Sequence, residues 1–167
     1  GSTLSRVAHS WILARTDRPR SWHLFQDALN SDIADIQGGT TPEGIHVGAM
    51  AGTIDLIQRC YLGIETRANI LHFDPALPDD LGCVKVRVRY RRQLLDVEAD
   101  HDMLRISSRS FTANPITIAY RGRFRDVAPG DTYEFRLLKP EERDRNENLA
   151  ASTNAAAPRP KEPHHDE

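Results

Sequence analysis

The residues of this chain best suited to chemistry are a pair of hydroxyls and one imidazole. Thr40-Thr41 run into Pro42-Glu43-Gly44-Ile45-His46. Hydroxyls and imidazoles donate hydrogen bonds readily. At the beginning of a helix, where backbone amides lack partners and the dipole is positive, they form a site for phosphate or for the polar edge of a sugar. No nucleophile pattern or metal-ligand spacing accompanies them. The chemistry on offer is therefore binding and alignment.

Such a site needs helix starts to carry it. Gly38-Gly39 frees the backbone and Thr41-Pro42 supplies a hydroxyl cap with proline in the first turn, so a helix is expected to begin there and to stop at Gly63. Gly44, Gly48 and Gly52 would form a bare stripe along it, while Ile45, Val47, Ala49, Met50, Ile54, Leu56 and Ile57 make it apolar nearly all round. Each interior glycine costs about 1 kcal/mol against alanine, so a packing or ligand constraint must hold them. Two readings stand side by side: a polar pocket at the start of a buried helix, or a capped core helix whose glycines permit close packing. Glu43 reads as a structural carboxylate, because the dipole favours its charged form and opposes the protonated form a general acid needs.

Two further helices precede this one. Leu4, Val7, Ala8, Trp11, Ile12 and Ala14 fall at helical intervals, giving a helix that ends near Thr16-Asp17, with His9 read as a packing residue. Asp17-Arg18-Pro19 starts the next, Trp22, Phe25, Ala28 and Leu29 form its stripe, and Asn30-Ser31-Asp32 breaks it. A short link makes the pair an antiparallel hairpin. Paired helices with active-site loops at one end build helical rings, in which the third helix sits innermost. Two helices and a sheet cannot cover a helix that is apolar on every side, so the chain reads as incomplete.

Beyond Gly63 the period changes to two. Strands are expected over 70–73, 84–90, 94–99, 103–107, 116–120, 123–127 and 132–137, separated by turns at Asp100-His101-Asp102, Asn114-Pro115 and Pro129-Gly130-Asp131. Many short strands at regular spacing make an antiparallel β-sandwich. Lys85, Arg87, Arg89 and Arg91 give one strand a basic outer face. A solvated face paired with Asp96 and Glu98 is preferred to a nucleic-acid surface, given the regular alternation and a net charge of -2. The charge-dense run from Lys139 and the Ala- and Pro-rich stretch to Glu167 are expected to be a disordered tail, in which His164-His165 is a weak metal signal.

The 167 residues could fill one ordinary domain, although 39% hydrophobic content is modest. The charge balance argues for neither nucleic acid nor an anionic membrane. Cys60 and Cys83 are too few for a disulfide framework, so a reducing cytoplasm is the default. No apolar run approaches a membrane span, and no signal-peptide pattern opens the chain.

The run from Gly38 to Thr53, with Thr41-Pro42-Glu43-Gly44-Ile45-His46-Val47-Gly48-Ala49-Met50-Ala51-Gly52-Thr53 at its centre, resembles the Thr-x-Glu-Gly-Ile-His-x-Gly-Ala-Met-Ala-Gly-Thr signature of glycoside hydrolase family 65. Ser2-Thr3-Leu4-Ser5, followed by His9, is similar to a Ser-Ser/Thr-Leu-Ser segment one helix pair upstream in the same proteins. The family holds maltose, trehalose and kojibiose phosphorylases and related hydrolases. The resemblance implies an α+β chain: the last helices of an (α/α) barrel over 1–66, a β-sandwich over 67–138 and a tail over 139–167. It implies that Ser2, Thr3, Thr40, Thr41, Gly44 and His46 line the phosphate end of the active site. Inorganic phosphate would be a co-substrate, with no further cofactor and no metal. Phosphate would attack an α-glucosidic bond with inversion, assisted by a general-acid glutamate that has no counterpart in this sequence, so the chain alone should turn over little. The implied partners are a disaccharide and phosphate, not nucleic acid or membrane, with a homodimer or an N-terminal catalytic portion completing the barrel. The competing reading is a carbohydrate-binding or interaction module whose sandwich is the working part.

Overall fold

The computed structural model describes residues 3–31, 34, 44–109, 111–139 and 142. Among the described residues three helices come first: α1 (Thr3–Leu13), α2 (Arg18–Asn30) and α3 (Val47–Leu56), the last continuing into a π-helical turn at Ile57–Tyr61. Eight strands follow: β1 (Glu65–Arg67), β2 (Ile70–Phe73), β3 (Cys83–Tyr90), β4 (Gln93–Asp100), β5 (Met103–Ser108), β6 (Ile116–Tyr120), β7 (Arg123–Val127) and β8 (Thr132–Arg136).

The α1–α2 corner is built by its caps. Asp17 accepts the Arg20 amide at 3.1 Å and so starts α2, while the Arg18 guanidinium donates back to the Ala14 carbonyl at 3.0 Å and closes α1. α1 buries Thr3, Val7 and Ser10, with Ala14 just beyond its end. Only part of the apolar stripe faces inward: Val7 and Ala14 are buried, whereas Leu4 is 61% exposed, Ile12 63%, and Trp11 and Ala8 are exposed too. The small-residue face wins because it lets α2 and α3 come closer than Leu4 or Ile12 would. His9 also lies on the exposed side, so it is not a packing residue among the described residues.

The third helix starts later than its sequence suggests. Gly44 adopts φ +112° and residues 44–46 are not helical, which places Gly44 outside the helix and leaves Gly48 and Gly52 within it. Left-handed backbone at Gly44 cannot belong to a right-handed turn. The Thr41-Pro42 start itself falls outside the described residues. Nor is α3 covered on every side, since Val47 is 73% and Ile54 59% exposed.

The sandwich has two four-stranded sheets, ordered β1-β2-β6-β7 and β3-β4-β5-β8. All pairings are antiparallel except β2 with β6, which run parallel with Leu71 opposite Ile118. Alternation along β4 sends Leu95, Val97 and Ala99 into the core and Asp96 and Glu98 outward. The main apolar cluster runs from Ala14, Phe25, Leu56 and Tyr61 of the helical part through Leu95, Ile106, Ile118 and Tyr120 of the sheets. Between the sheets Gln93 is fully buried. Its amide donates to the carbonyls of Asn114 at 3.0 Å and Val127 at 3.3 Å, and Ser108 donates to its Oε1, so no polar atom of it is stranded. The short β1 was not foreseen: Glu-Thr-Arg has no apolar residue to alternate and is exposed throughout. No helix among the described residues is long and apolar enough to cross a membrane.

Candidate functional site

Of the six residues proposed for the site, Thr3, Gly44 and His46 are described, and Ser2, Thr40 and Thr41 lie outside the described residues, as does Glu43. Thr3 opens α1 and is 1% exposed. His46 occupies the N-cap position of α3, where its carbonyl accepts the amides of Ala49 and Met50 at 2.9 and 3.1 Å, and its half-buried side chain does not cap the helix. The glycine contacts put the two positions at the same end of the α1–α3 pair. A Cβ on Gly48 would lie 3.7 Å from Leu4 Cδ1, and one on Gly52 only 2.6 Å from Val7 Cγ1. Contacts that ascend together along both helices mean that α1 and α3 run parallel. Their positive ends therefore share an end, with Thr3 at one and His46 at the other. Gly48 and Gly52 are packing glycines, whereas Gly44 serves by its backbone conformation, since a Cβ there would meet nothing within 4 Å.

What holds α1 in place is a buried hydroxyl knot that sequence reasoning missed. Ser10 Oγ donates to the Ser21 carbonyl at 2.7 Å and Ser21 Oγ to the Ser10 carbonyl at 2.8 Å, with Tyr61 Oη 3.2 Å from Ser21 Oγ. Burial pushes the Tyr61 phenol above its ordinary range, partly offset by its serine hydrogen bonds, so it stays a neutral donor. Trp22 stacks on Phe25 at 5.1 Å, and both rings meet Tyr61 edge-on at 6.0 and 5.9 Å. A serine in a helix carries no period signal, so only the spacing of Ser10 and Ser21 either side of a capped corner could have pointed here.

On the outer sheet face the expected charge pairs are present. Lys85 meets Glu98 at 2.8 Å and Arg87 meets Asp96 at 2.7 Å, in the register that sets those residues opposite each other on β3 and β4. Arg109 gives Asp96 an unforeseen second partner, 2.6 Å from its other oxygen. The two guanidinium groups hold the Asp96 carboxyl below its usual range. Among the described residues no group of three or more His, Cys, Asp or Glu is placed to hold a metal ion.

Comparison with known proteins decides the family. Residues 1–55 match the glycosyl hydrolase family 65 central catalytic domain and residues 64–124 match the family 65 C-terminal domain. The chain belongs to glycosyl hydrolase family 65. Among its family 65 relatives, an uncharacterized glycosyl hydrolase of Mycobacterium tuberculosis is 45% identical over 134 residues, covering 80% of this chain and 10% of that protein. Trehalose 6-phosphate phosphorylase of Lactococcus lactis is 30% identical over 109 residues, covering 65% of this chain and 14% of the relative. The chain thus spans about a tenth to a seventh of the length of these curated relatives. A human-microbiome protein provisionally named kojibiose phosphorylase shares the fold with a TM-score of 0.69 at 24% identity, over 81% of this chain and 17% of that one. In this family 65 chain Thr3 and His46 fall in the catalytic-domain match, and the Arg87–Asp96–Arg109 cluster falls in the C-terminal-domain match.

Proposed function

We propose that this chain supplies the phosphate-holding end of an inverting phosphorylase that cleaves α-glucosidic disaccharides to glucose 1-phosphate. The observation that carries the reading is the parallel packing of α1 and α3, which sets Thr3 and the His46 N-cap at the same positive end. Donors from Ser2, Thr3, Thr40, Thr41 and His46, with the backbone at Gly44, would hold phosphate in line with the anomeric carbon. Phosphate then attacks opposite the leaving sugar, and a glutamic acid contributed from outside this sequence protonates the leaving oxygen. The protein's part here is alignment and charge stabilisation.

Residues 1–66 are then the closing helices of a barrel and 67–138 the sandwich that buttresses them. The exposed Leu4, Trp11, Ile12, Val47 and Ile54 support this over a self-sufficient binding module, because such a module has no use for bare apolar helix faces. Upstream helices or a second copy would cover them. Cys60 and Cys83 are unbridged, in keeping with a cytoplasmic setting.

The test has two arms, each assayed with trehalose, maltose and kojibiose. The 167-residue chain alone should release no glucose 1-phosphate, and robust release would overturn its reading as a partial enzyme. In the longer protein read in frame from upstream, His46→Ala should raise KM for phosphate by about 10-fold, the loss of one charge-assisted contact. Sugar release that does not depend on phosphate would instead mark a hydrolase.

A further inference from the structure

The outer face of the β3-β4-β5-β8 sheet carries a solvent-open trough of about 570 Å³, within the roughly 300–1,000 Å³ of small-molecule sites. Four cations line it, Lys85, Arg87, Arg105 and Arg109, against two carboxylates, Asp96 and Glu98. Glu134 pairs with Arg105 at 3.3 Å and Glu98 with Lys85 at 2.8 Å, so the surplus is the single positive charge left over where Arg87 and Arg109 share Asp96. The trough faces away from the core and shares no residue with the Thr3 and His46 end.

Its centre is a shared carboxylate. Arg87 Nε donates to Asp96 Oδ1 at 2.7 Å and Arg109 Nε donates to Asp96 Oδ2 at 2.6 Å. Each arginine spends its Nε on Asp96, and among the described residues no hydrogen bond from either one's Nη nitrogens to protein is found. Ordinary bidentate pairing would have used an Nε and an Nη of one arginine on one carboxylate. Here two guanidinium groups are pinned by their inner nitrogens, and their outer donors are left for something else. The backbone fixes the geometry: Arg87 sits opposite Asp96 in the β3–β4 register, and the Arg109 amide donates to the Leu94 carbonyl at 2.7 Å, holding Arg109 beside β4. Asp96 cancels one of the two positive charges and leaves one over.

We propose that Arg87 and Arg109, oriented by Asp96, form a clamp for the phosphate of a phosphorylated sugar. A planar fork with paired N–H donors matches phosphate oxygens in a way a lysine cannot. The trough is larger than a bare phosphate requires. Along its floor Glu98 is paired with Lys85 at 2.8 Å, Arg105 with Glu134 at 3.3 Å, and Ser107 accepts from Thr132 at 3.0 Å. Hydroxyl groups there would meet exposed partners with spare hydrogen-bonding capacity, and no aromatic side chain lines the trough to stack a neutral sugar ring. The ligand is thus recognised first by its phosphate and then by its hydroxyls. This site is independent of the phosphorolysis reading above.

Calorimetric titration of the 167-residue chain with glucose 6-phosphate, glucose 1-phosphate, inorganic phosphate and glucose tests it. Binding of a hexose phosphate is expected to be saturable, weakened by salt, and at least about 5-fold tighter than that of inorganic phosphate, with glucose silent. Arg87→Ala and Arg109→Ala should each weaken hexose phosphate by about 10-fold, as loss of a charge-assisted pair on an exposed surface does. His46→Ala should leave it unchanged, separating this site from the active-site end. Asp96→Asn is the positioning variant: it keeps both arginines and adds net positive charge, so simple charge attraction predicts tighter binding whereas a clamp predicts weaker. All three residues are solvent-facing, and a single cooperative melting transition in each confirms folded variants. No saturable binding, equal affinity for inorganic phosphate, indifference to either arginine variant, or tighter binding by Asp96→Asn would each overturn the proposal.

Discussion

Ser10 and Ser21 each give their hydroxyl to the other's backbone carbonyl, at 2.7 and 2.8 Å, so that α1 and α2 are tied by a reciprocal pair of buried hydrogen bonds. Both residues are fully buried, and Tyr61 reaches the same point from the π-helical turn. Because α1 carries Thr3, the orientation of the candidate site rests on this knot.

Removing one hydroxyl should loosen it measurably. Ser21→Ala deletes a donor from a dry contact that three segments share, at a cost of about 1–2 kcal/mol, and Tyr61→Phe should cost about 1 kcal/mol. The two losses should be less than additive, since they share the Ser21 oxygen. Urea denaturation of the single and double variants checks both points.

Gly52→Ala should be destabilising although alanine is the better helix former. The new Cβ would stand 2.6 Å from Val7 Cγ1, and forcing α1 and α3 apart costs about 1–3 kcal/mol against a propensity gain of about 1 kcal/mol. Adding Val7→Ala should recover part of the loss by clearing the clash. A double-mutant cycle with no coupling would show that the helices do not meet there.

Gly63→Ala should be worse than either. Gly63 sits at φ +62°, and a Cβ would lie 2.4 Å from the Asp74 carbonyl oxygen, a backbone atom that cannot swing away. A loss of about 2 kcal/mol or more is expected, read from the thermal midpoint.

The acid dependence of stability should contain a contribution from Asp96. Its folded-state carboxyl is depressed by hydrogen bonds from Arg87 and Arg109. The stabilisation is therefore complete above the ordinary carboxylate pKa of about 3.9 and is lost as pH falls through the lower folded value. The stability gap between wild type and Asp96→Asn should be constant from neutral pH down to that range and shrink below it. A gap that widens on acidification would contradict the arginine pairing.

The sheets were legible because alternation is a strong signal over short strands. Seven strands fall at or within a residue or two of their expected places, and the turn at Pro129-Gly130-Asp131 closes as its residues demand, with Gly130 at φ +89°. The parallel β2–β6 pairing was not legible, since pairing partners leave no mark on the period of either strand. The helices were harder to read. Leu4, Trp11 and Ile12 carry a clear apolar stripe that faces solvent in this chain, and a period tells which residues share a face, not what lies against it. In the charged face, the Arg87–Asp96 pair followed from alternation. Arg109 did not, because it lies one residue beyond β5 and reaches Asp96 diagonally.

The parallel β2–β6 pair also sets the order in which the chain can assemble. Leu71 and Ile118 must meet across an intervening stretch that forms most of the other sheet. Closing so long a loop is entropically costly until that stretch has collapsed into its own hairpins. The local β3–β4 and β4–β5 hairpins can form early, while β2 waits with an open edge for β6 to be synthesised. A nascent chain halted before Ile116 would carry that edge uncovered, and the slow kinetic phase of refolding should track the joining of the two rather than the formation of any helix.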